Sequence, residues 1–79
     1  MSPKIVQVTP LPDYELLLAF ENGEQRVYDV KPMIKGDWMG QLKDPVLFQT
    51  VHVAGISIEW DGGQDLCPDD LYENSRPAD

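Results

Sequence analysis

Carboxylates and a thiol crowd into residues 58–75, IEWDGGQDLCPDDLYENS, where Asp61, Asp65, Asp69, Asp70 and Glu73 surround Cys67. Clustered carboxylates can hold hard cations, and a thiol beside a base can act as a nucleophile. The calcium reading fails on spacing. An EF-hand loop needs oxygen ligands at positions 1, 3 and 5, glycine at 6 and glutamate at 12. Counted from Asp61, positions 3, 6 and 12 are Gly63, Leu66 and Tyr72. The nucleophile reading needs a base, and His52 is the only histidine. Strand alternation puts His52 on the outer face of a different element. Ser2, Ser57 and Ser75 lie in no nucleophile-elbow context, and Gly62-Gly63 lacks the Lys-Ser/Thr pair of a phosphate loop. A structural account of the acids is simpler. Pro68 opens a helix, so Asp69 and Asp70 fall in its first turn, where carboxylates offset the positive helix end at about 0.3–1 kcal/mol each. Asp61 and Asp65 flank a Gly-Gly turn and favour it. The expectation is no catalytic residue, no metal ligand set and no cofactor. The alternative is a weak metal-binding or thiol-dependent enzyme using Asp65, Cys67, Asp69 and His52.

The elements that would carry these residues must form within 79 residues, a length for one small domain. Such a domain buries only about 60% of its unfolded surface, so its core is marginal. The expected ordered core runs over about 4–74, with 75–79 a flexible tail. No apolar run reaches the length of a membrane span, and the first residues lack a secretion-signal layout. One cysteine cannot form an internal disulfide, and a cytoplasmic protein is the simplest reading. The formal charge is −8. Residues 59–79 hold seven acids and only Arg76, whereas residues 1–58 hold seven acids and five scattered bases. Nucleic-acid binding draws on clustered bases that neutralise phosphates. No such footprint is present, so direct nucleic-acid binding is not expected.

KIVQVT at 4–9 is a β-branched run closed by Pro10 and Pro12, which reads as a strand near an edge. YELLLAF at 14–20 is a stronger strand. ENGE then separates it from QRVYDV, and Asn-Gly between two such runs signals a hairpin. A two-residue loop at Asn22-Gly23 sets Leu18 across from Val27 and Leu17 across from Tyr28. It also opposes Glu21 and Glu24, which favours a longer loop around Gly23 as the alternative. In the two-residue register both hairpin faces are apolar. Leu16, Leu18, Phe20 and Val27 share one; Leu17, Ala19, Tyr28 and Val30 share the other. An antiparallel sheet with one wet face alternates more cleanly than this, so the second face needs a cover. Residues 31–44 hold Pro32, Gly36 and Gly40 and allow helical turns at 32–35 and 38–42. Asp44-Pro45 is a helix start, with a helix over 45–50 turning Val46, Leu47 and Phe48 inward. VHVAGISIEW reads as a second hairpin with a loop at Ala54-Gly55. PDDLYEN at 68–74 is a last short helix. The fold class is α+β: antiparallel β-hairpins with an N-terminal strand and two or three short helices.

The order of features also carries a family likeness. It runs Phe20-x-Asn22-Gly23, then Arg26, Asp29-Val30 and Lys31-Pro32, then Leu42-Lys43-Asp44-Pro45 with Phe48. Gly55 leads into Ile58-x-Trp60, and Asp65-Leu66-x-Pro68-Asp69-x-Leu71-Tyr72 follows. Over roughly residues 5–73 this resembles the small bacterial family catalogued as domain of unknown function 2442. The resemblance implies an α+β fold and brings no catalytic residues. Some relatives look like one half of a toxin–antitoxin cassette, which would suit an acidic, antitoxin-like or regulatory protein that masks a basic partner. From the residues themselves, the expected function is a non-enzymatic protein-interaction module that binds a partner or forms a homodimer. Its expected surface is Leu17, Tyr28, Met33, Trp38 and Met39, where an exposed Trp/Met cluster has the composition of an interface; the alternative is that this cluster packs down onto the second hairpin face.

Overall fold

The computed structural model describes residues 2–78. The chain forms strands β1 (Ile5–Leu11), β2 (Glu15–Phe20) and β3 (Gln25–Asp29), then 3₁₀ turns at Lys31–Met33 and Met39–Lys43. Helix α1 (Pro45–Phe48), strands β4 (His52–Ala54), β5 (Ser57–Glu59) and β6 (Asp65–Leu66), helix α2 (Pro68–Glu73) and strand β7 (Arg76–Pro77) follow. The architecture is α+β, as the alternation and the capping signals predict. One antiparallel sheet has the order β1-β2-β3-β7 and the other the order β4-β5-β6. The Ile5 amide donates to the Ile56 carbonyl at 3.3 Å and ties the sheets together.

Both helices start where local chemistry dictates. The Asp44 carboxylate accepts from the Val46 amide at 2.9 Å, and Pro45 supplies a preset φ at the first helical position. α2 begins at Pro68 with Asp69 and Asp70 in its first turn. Between the layers, Leu16, Leu18, Phe20 and Tyr28 from the first sheet meet Ile58 and Leu66 from the second and Trp60 just beyond β5. Leu42, Phe48 and Leu71 close the ends. Phe48 is the hinge of this core: the Tyr14 ring packs edge-on against it at 5.2 Å, and Trp60 Nε1 donates to its carbonyl at 3.0 Å.

The first hairpin departs from the two-residue loop. Phe20 N–H donates to Glu24 O, and Gly23 N–H donates to Phe20 O, so Glu21-Asn22-Gly23 is a three-residue loop. Gly23 takes φ +90° as its last member, a conformation a side chain disfavours. The Asn22 side chain accepts from the Glu24 amide at 3.0 Å and fixes the turn. One extra loop residue shifts the pairing by one: Leu18 faces Arg26, Leu17 faces Val27, and Leu16 faces Tyr28. The shift exchanges the faces of β3. Tyr28 therefore joins Leu16, Leu18 and Phe20 on the core side and is only 4% exposed. Val27 moves to the outer side beside Leu17 and Arg76.

The second hairpin differs as well. Its loop is Gly55-Ile56, and Val53 pairs with Ile58. Gly55 takes φ +61° at the first loop position, the residue type this turn requires. Ile56 thus stands at the tip, 61% exposed, within the loop instead of on a strand. Within α1 only Phe48 is buried; Val46 is 76% exposed because it sits in the first turn, on the solvent side.

Residues 76–78 of the expected tail lie against the first sheet. Arg76 and Pro77 pair with Val27 and Arg26, and the Ala78 amide donates to the Gln25 carbonyl at 3.0 Å. Arg26 is the physical cause. Its Nε donates to Ser75 Oγ at 2.8 Å and its guanidinium to the Ser75 carbonyl at 2.7 Å, while the guanidinium lies 5.1 Å from the Tyr72 ring centroid. Asp79 lies outside the described residues.

Candidate functional site

The five residues expected to share a surface do not converge. Leu17 lies on the outer face of the first sheet. Tyr28 is inside, where its hydroxyl donates to Asp70 Oδ2 at 2.7 Å. Burial and then that hydrogen bond push its phenol above the ordinary tyrosine range. Met33 and Met39 are partly buried and pack down onto the core. Trp38 alone is presented to solvent, at 50% exposure.

The residues of the alternative reading are also dispersed. His52 and Asp65 reach the same face of the second sheet, two strands apart with Glu59 between them. There His52 Nδ1 donates to the Thr50 carbonyl at 2.9 Å, and Nε2 meets Glu59 at 3.4 Å. The Thr50 bond first, then Glu59 and Asp61, raise the His52 pKa above 6.5 against the opposing effect of desolvation. Asp69 accepts from Ser2 Oγ at 2.8 Å, at the start of α2. Cys67 precedes α2 as an exposed free thiol. Among the described residues, no group of three or more His, Cys, Asp or Glu side chains is placed to share a metal ion.

What distinguishes Trp38 is how firmly it is held while exposed. It lies in the segment Gly36-Asp37-Trp38-Met39-Gly40, and Gly36 takes φ +80° to turn the chain out of the preceding region. Opposite stands the β5–β6 connection. Trp60 N–H donates to Gln64 O, and Gly63 N–H donates to Trp60 O. Asp61-Gly62-Gly63 is thus a three-residue loop with its last glycine at φ +89°, the same device as Glu21-Asn22-Gly23. Two bonds join the segments. The Trp38 indole Nε1 donates to the Gly62 carbonyl at 3.3 Å, and Gln64 Nε2 donates to the Trp38 carbonyl at 2.9 Å. Gln64 Nε2 also reaches Gln41 Oε1 at 3.3 Å.

Gln64 is the keystone of this contact. It is a fully buried polar side chain, which is tolerated only where its hydrogen bonds are made. Both Nε2 donors are used. Its Oε1 receives no N–H or O–H among the described residues. A Cβ on Gly62 would overlap that oxygen and lie 3.0 Å from Gln64 Cδ and Nε2. The Gly62 Cα–H is thus turned onto Oε1, a weak donor in place of a strong one. A Cβ on Gly63 would in turn stand 3.9 Å from Trp38 Cζ2. Two consecutive glycines therefore do separate jobs: Gly62 admits the glutamine, and Gly63 supplies the left-handed turn beside the indole.

Sequence reading singled out Trp38 and missed Gln64 and Gly62. Gln64 carries no signal of burial, because it follows a turn and precedes an acid. The one available clue was the spacing shared by Phe20-Glu-Asn-Gly-Glu24 and Trp60-Asp-Gly-Gly-Gln64, which would have shown that the second loop closes on residue 64.

The chain matches the family model described as Protein of unknown function (DUF2442) over residues 5–77. It belongs to that family. No curated protein and no solved structure matches the chain. Membership in DUF2442 thus agrees with the likeness drawn from the Phe20–Gly23 and Trp60–Tyr72 patterns and assigns no activity. Among the described residues, no helix is long and apolar enough to cross a membrane.

Proposed function

We propose that this member of DUF2442 is a non-enzymatic protein-interaction module that docks a partner through the Trp38 surface. A single observation carries the reading: a half-exposed tryptophan is locked at both its backbone and its indole nitrogen. Tryptophan is the residue most enriched among binding hot spots. Fixing it in advance removes the ordering cost that an interface otherwise meets. The rest of the apolar surface suits this role less well. Val6, Val46, Val53 and Ile56 are also exposed, on an edge strand, a helix and the second hairpin, but none of them is an aromatic anchor. The free edge of β1 is blunted by the irregularity between Ile5 and Gln7 and by Pro10, so strand addition there is disfavoured. Two copies of a chain carrying −8 repel one another, which favours a partner of opposite charge over self-association. An antitoxin-like or regulatory role fits such a partner. The free, exposed Cys67 suits a reducing, cytoplasmic setting.

The test is site-specific photo-crosslinking in the native cell. A benzophenone side chain at Asp37 should give one discrete adduct. A probe at Glu73 should not, and Trp38→Ala should abolish the Asp37 adduct. No adduct from position 37, or the same adducts from both positions, would overturn the proposal.

A further inference from the structure

We infer that the Trp38 platform recognises an arginine side chain of the partner, stacked on the open indole face and paired with neighbouring carboxylates. The inference rests on the docking reading above and names what is docked.

The argument begins with what the indole has left to offer. Its only hydrogen-bond donor is committed to the Gly62 carbonyl, so a ligand gains nothing by presenting an acceptor. What remains is the ring face, and a ring face attracts apolar groups or cations. The surroundings decide between those. Asp37 precedes Trp38 directly. The hairpin that holds the indole carries Glu59, Asp61 and Asp65, all within five residues of Gly62 or Gly63. Asp37, Asp61 and Asp65 are exposed and Glu59 is half-buried. Two basic groups counter these acids. Lys35 is the base of the Trp38 loop; His52 bonds Glu59 at 3.4 Å and stands 3.8 Å from Asp61. Even with His52 protonated, acids outnumber bases here, and the chain as a whole amplifies the bias at −8. An apolar ligand would leave these carboxylates unused, whereas a cation uses both the ring and the acids. Of the two cationic side chains, guanidinium is planar, stacks on aromatic faces and pairs with carboxylate through two parallel bonds. Ammonium does none of these as well.

The pairing has a geometric requirement that the fold meets. A stacked cation gains only if the ring stays put, and the Gln64 and Gly62 contacts fix it from two sides.

The experiment is a ¹⁵N–¹H titration of the full chain, following the two indole N–H signals separately. The probe is a capped nonapeptide alternating arginine and glycine; matched peptides carry lysine or the neutral isostere citrulline. The arginine peptide should shift the Trp38 indole signal and leave that of buried Trp60 in place. Its affinity should exceed that of the lysine peptide, and the citrulline peptide should not bind. Trp38→Ala should weaken arginine binding by about 3- to 30-fold, the range expected for a cation on an exposed to partly desolvated ring. Trp38→Phe should retain part of it, and Asp61→Asn should weaken it while flattening its salt dependence. The Trp60 signal in each variant reports that the fold is intact. Equal binding of citrulline, undiminished binding by Trp38→Ala, or no binding of the arginine peptide would each overturn the inference. If the peptide fails but the Asp37 crosslink persists, docking at Trp38 stands and arginine recognition falls. Loss of both removes the docking reading itself.

Discussion

Replacing Gly62 with alanine should destabilise the chain although the new methyl is small and the backbone there is ordinary. Gly62 is not among the glycines with positive φ, so alanine fits its backbone. By itself that exchange gives about 0.4–1 kcal/mol of stability by restricting the unfolded chain. The methyl, however, meets the end of Gln64: it overlaps Oε1 and lies 3.0 Å from Cδ and Nε2. A side-chain end can rotate away, so the cost is what Gln64 gives up rather than hard overlap. Rotation breaks the Nε2 bond to the Trp38 carbonyl, worth about 1 kcal/mol, and strands buried polar atoms at about 1–3 kcal/mol. The net expectation is a loss of about 1–3 kcal/mol, where the unfolded-state gain offsets part of the damage. For a domain of this size that lowers Tm by about 4–20 °C. Urea unfolding followed by Trp60 emission measures the loss. A double-mutant cycle isolates its cause: in a Gln64→Ala background, Gly62→Ala should cost nothing, because the obstructing side chain is gone. A Gly62→Ala protein as stable as the parent, or an equal loss in both backgrounds, would refute the claim that Gln64 is the keystone.

Other expectations follow from the same geometry. Tyr28→Phe removes a buried hydroxyl bonded to a carboxylate and should cost about 1–2 kcal/mol in urea titration; a surface tyrosine would cost almost nothing. Because the folded Tyr28 phenol titrates above its unfolded value, the unfolded chain loses that proton first, so stability should fall as pH rises through about 10, the ordinary tyrosine value. Tyr28→Phe should flatten that slope. The His52 titration followed by NMR should have its midpoint above 6.5, the ordinary histidine value. Its stabilising effect is complete below 6.5 and fades as pH rises through the folded midpoint, and Glu59→Gln should move that midpoint down. Deleting residues 75–79 should destabilise the domain by about 2–3 kcal/mol, since Arg26 loses its Ser75 partners. In the intact chain the Ala78 amide should be protected from hydrogen exchange; fast exchange there would contradict an ordered β7.

Much of this fold was legible because it follows local rules. YELLLAF alternates with period two, and its inward set Leu16, Leu18 and Phe20 is the set that is buried. Asp44-Pro45 and Pro68 mark both helix starts correctly. The register was not legible from Asn-Gly alone. Glycine can serve the left-handed position of a two-residue or a three-residue loop, and the choice moved Tyr28 from one face to the other. The two-residue strands β6 and β7 are too short to show any period. β7 exists because Arg26 reaches Ser75 across 49 residues of sequence, a contact no local pattern announces. For the candidate site the same division holds. Trp38 was visible by type and setting, whereas Gln64 was not, because its burial depends on two loops meeting.

The most direct measurement is ¹⁵N relaxation of the Trp38 indole N–H, assigned by its disappearance in Trp38→Phe. A locked platform predicts an order parameter close to that of rigid backbone, about 0.8, together with ready exposure to a soluble paramagnetic agent. An order parameter below about 0.6 would mean a freely moving side chain, and protection from the paramagnetic agent would mean a buried one. Either result would contradict a tryptophan fixed in place for a partner.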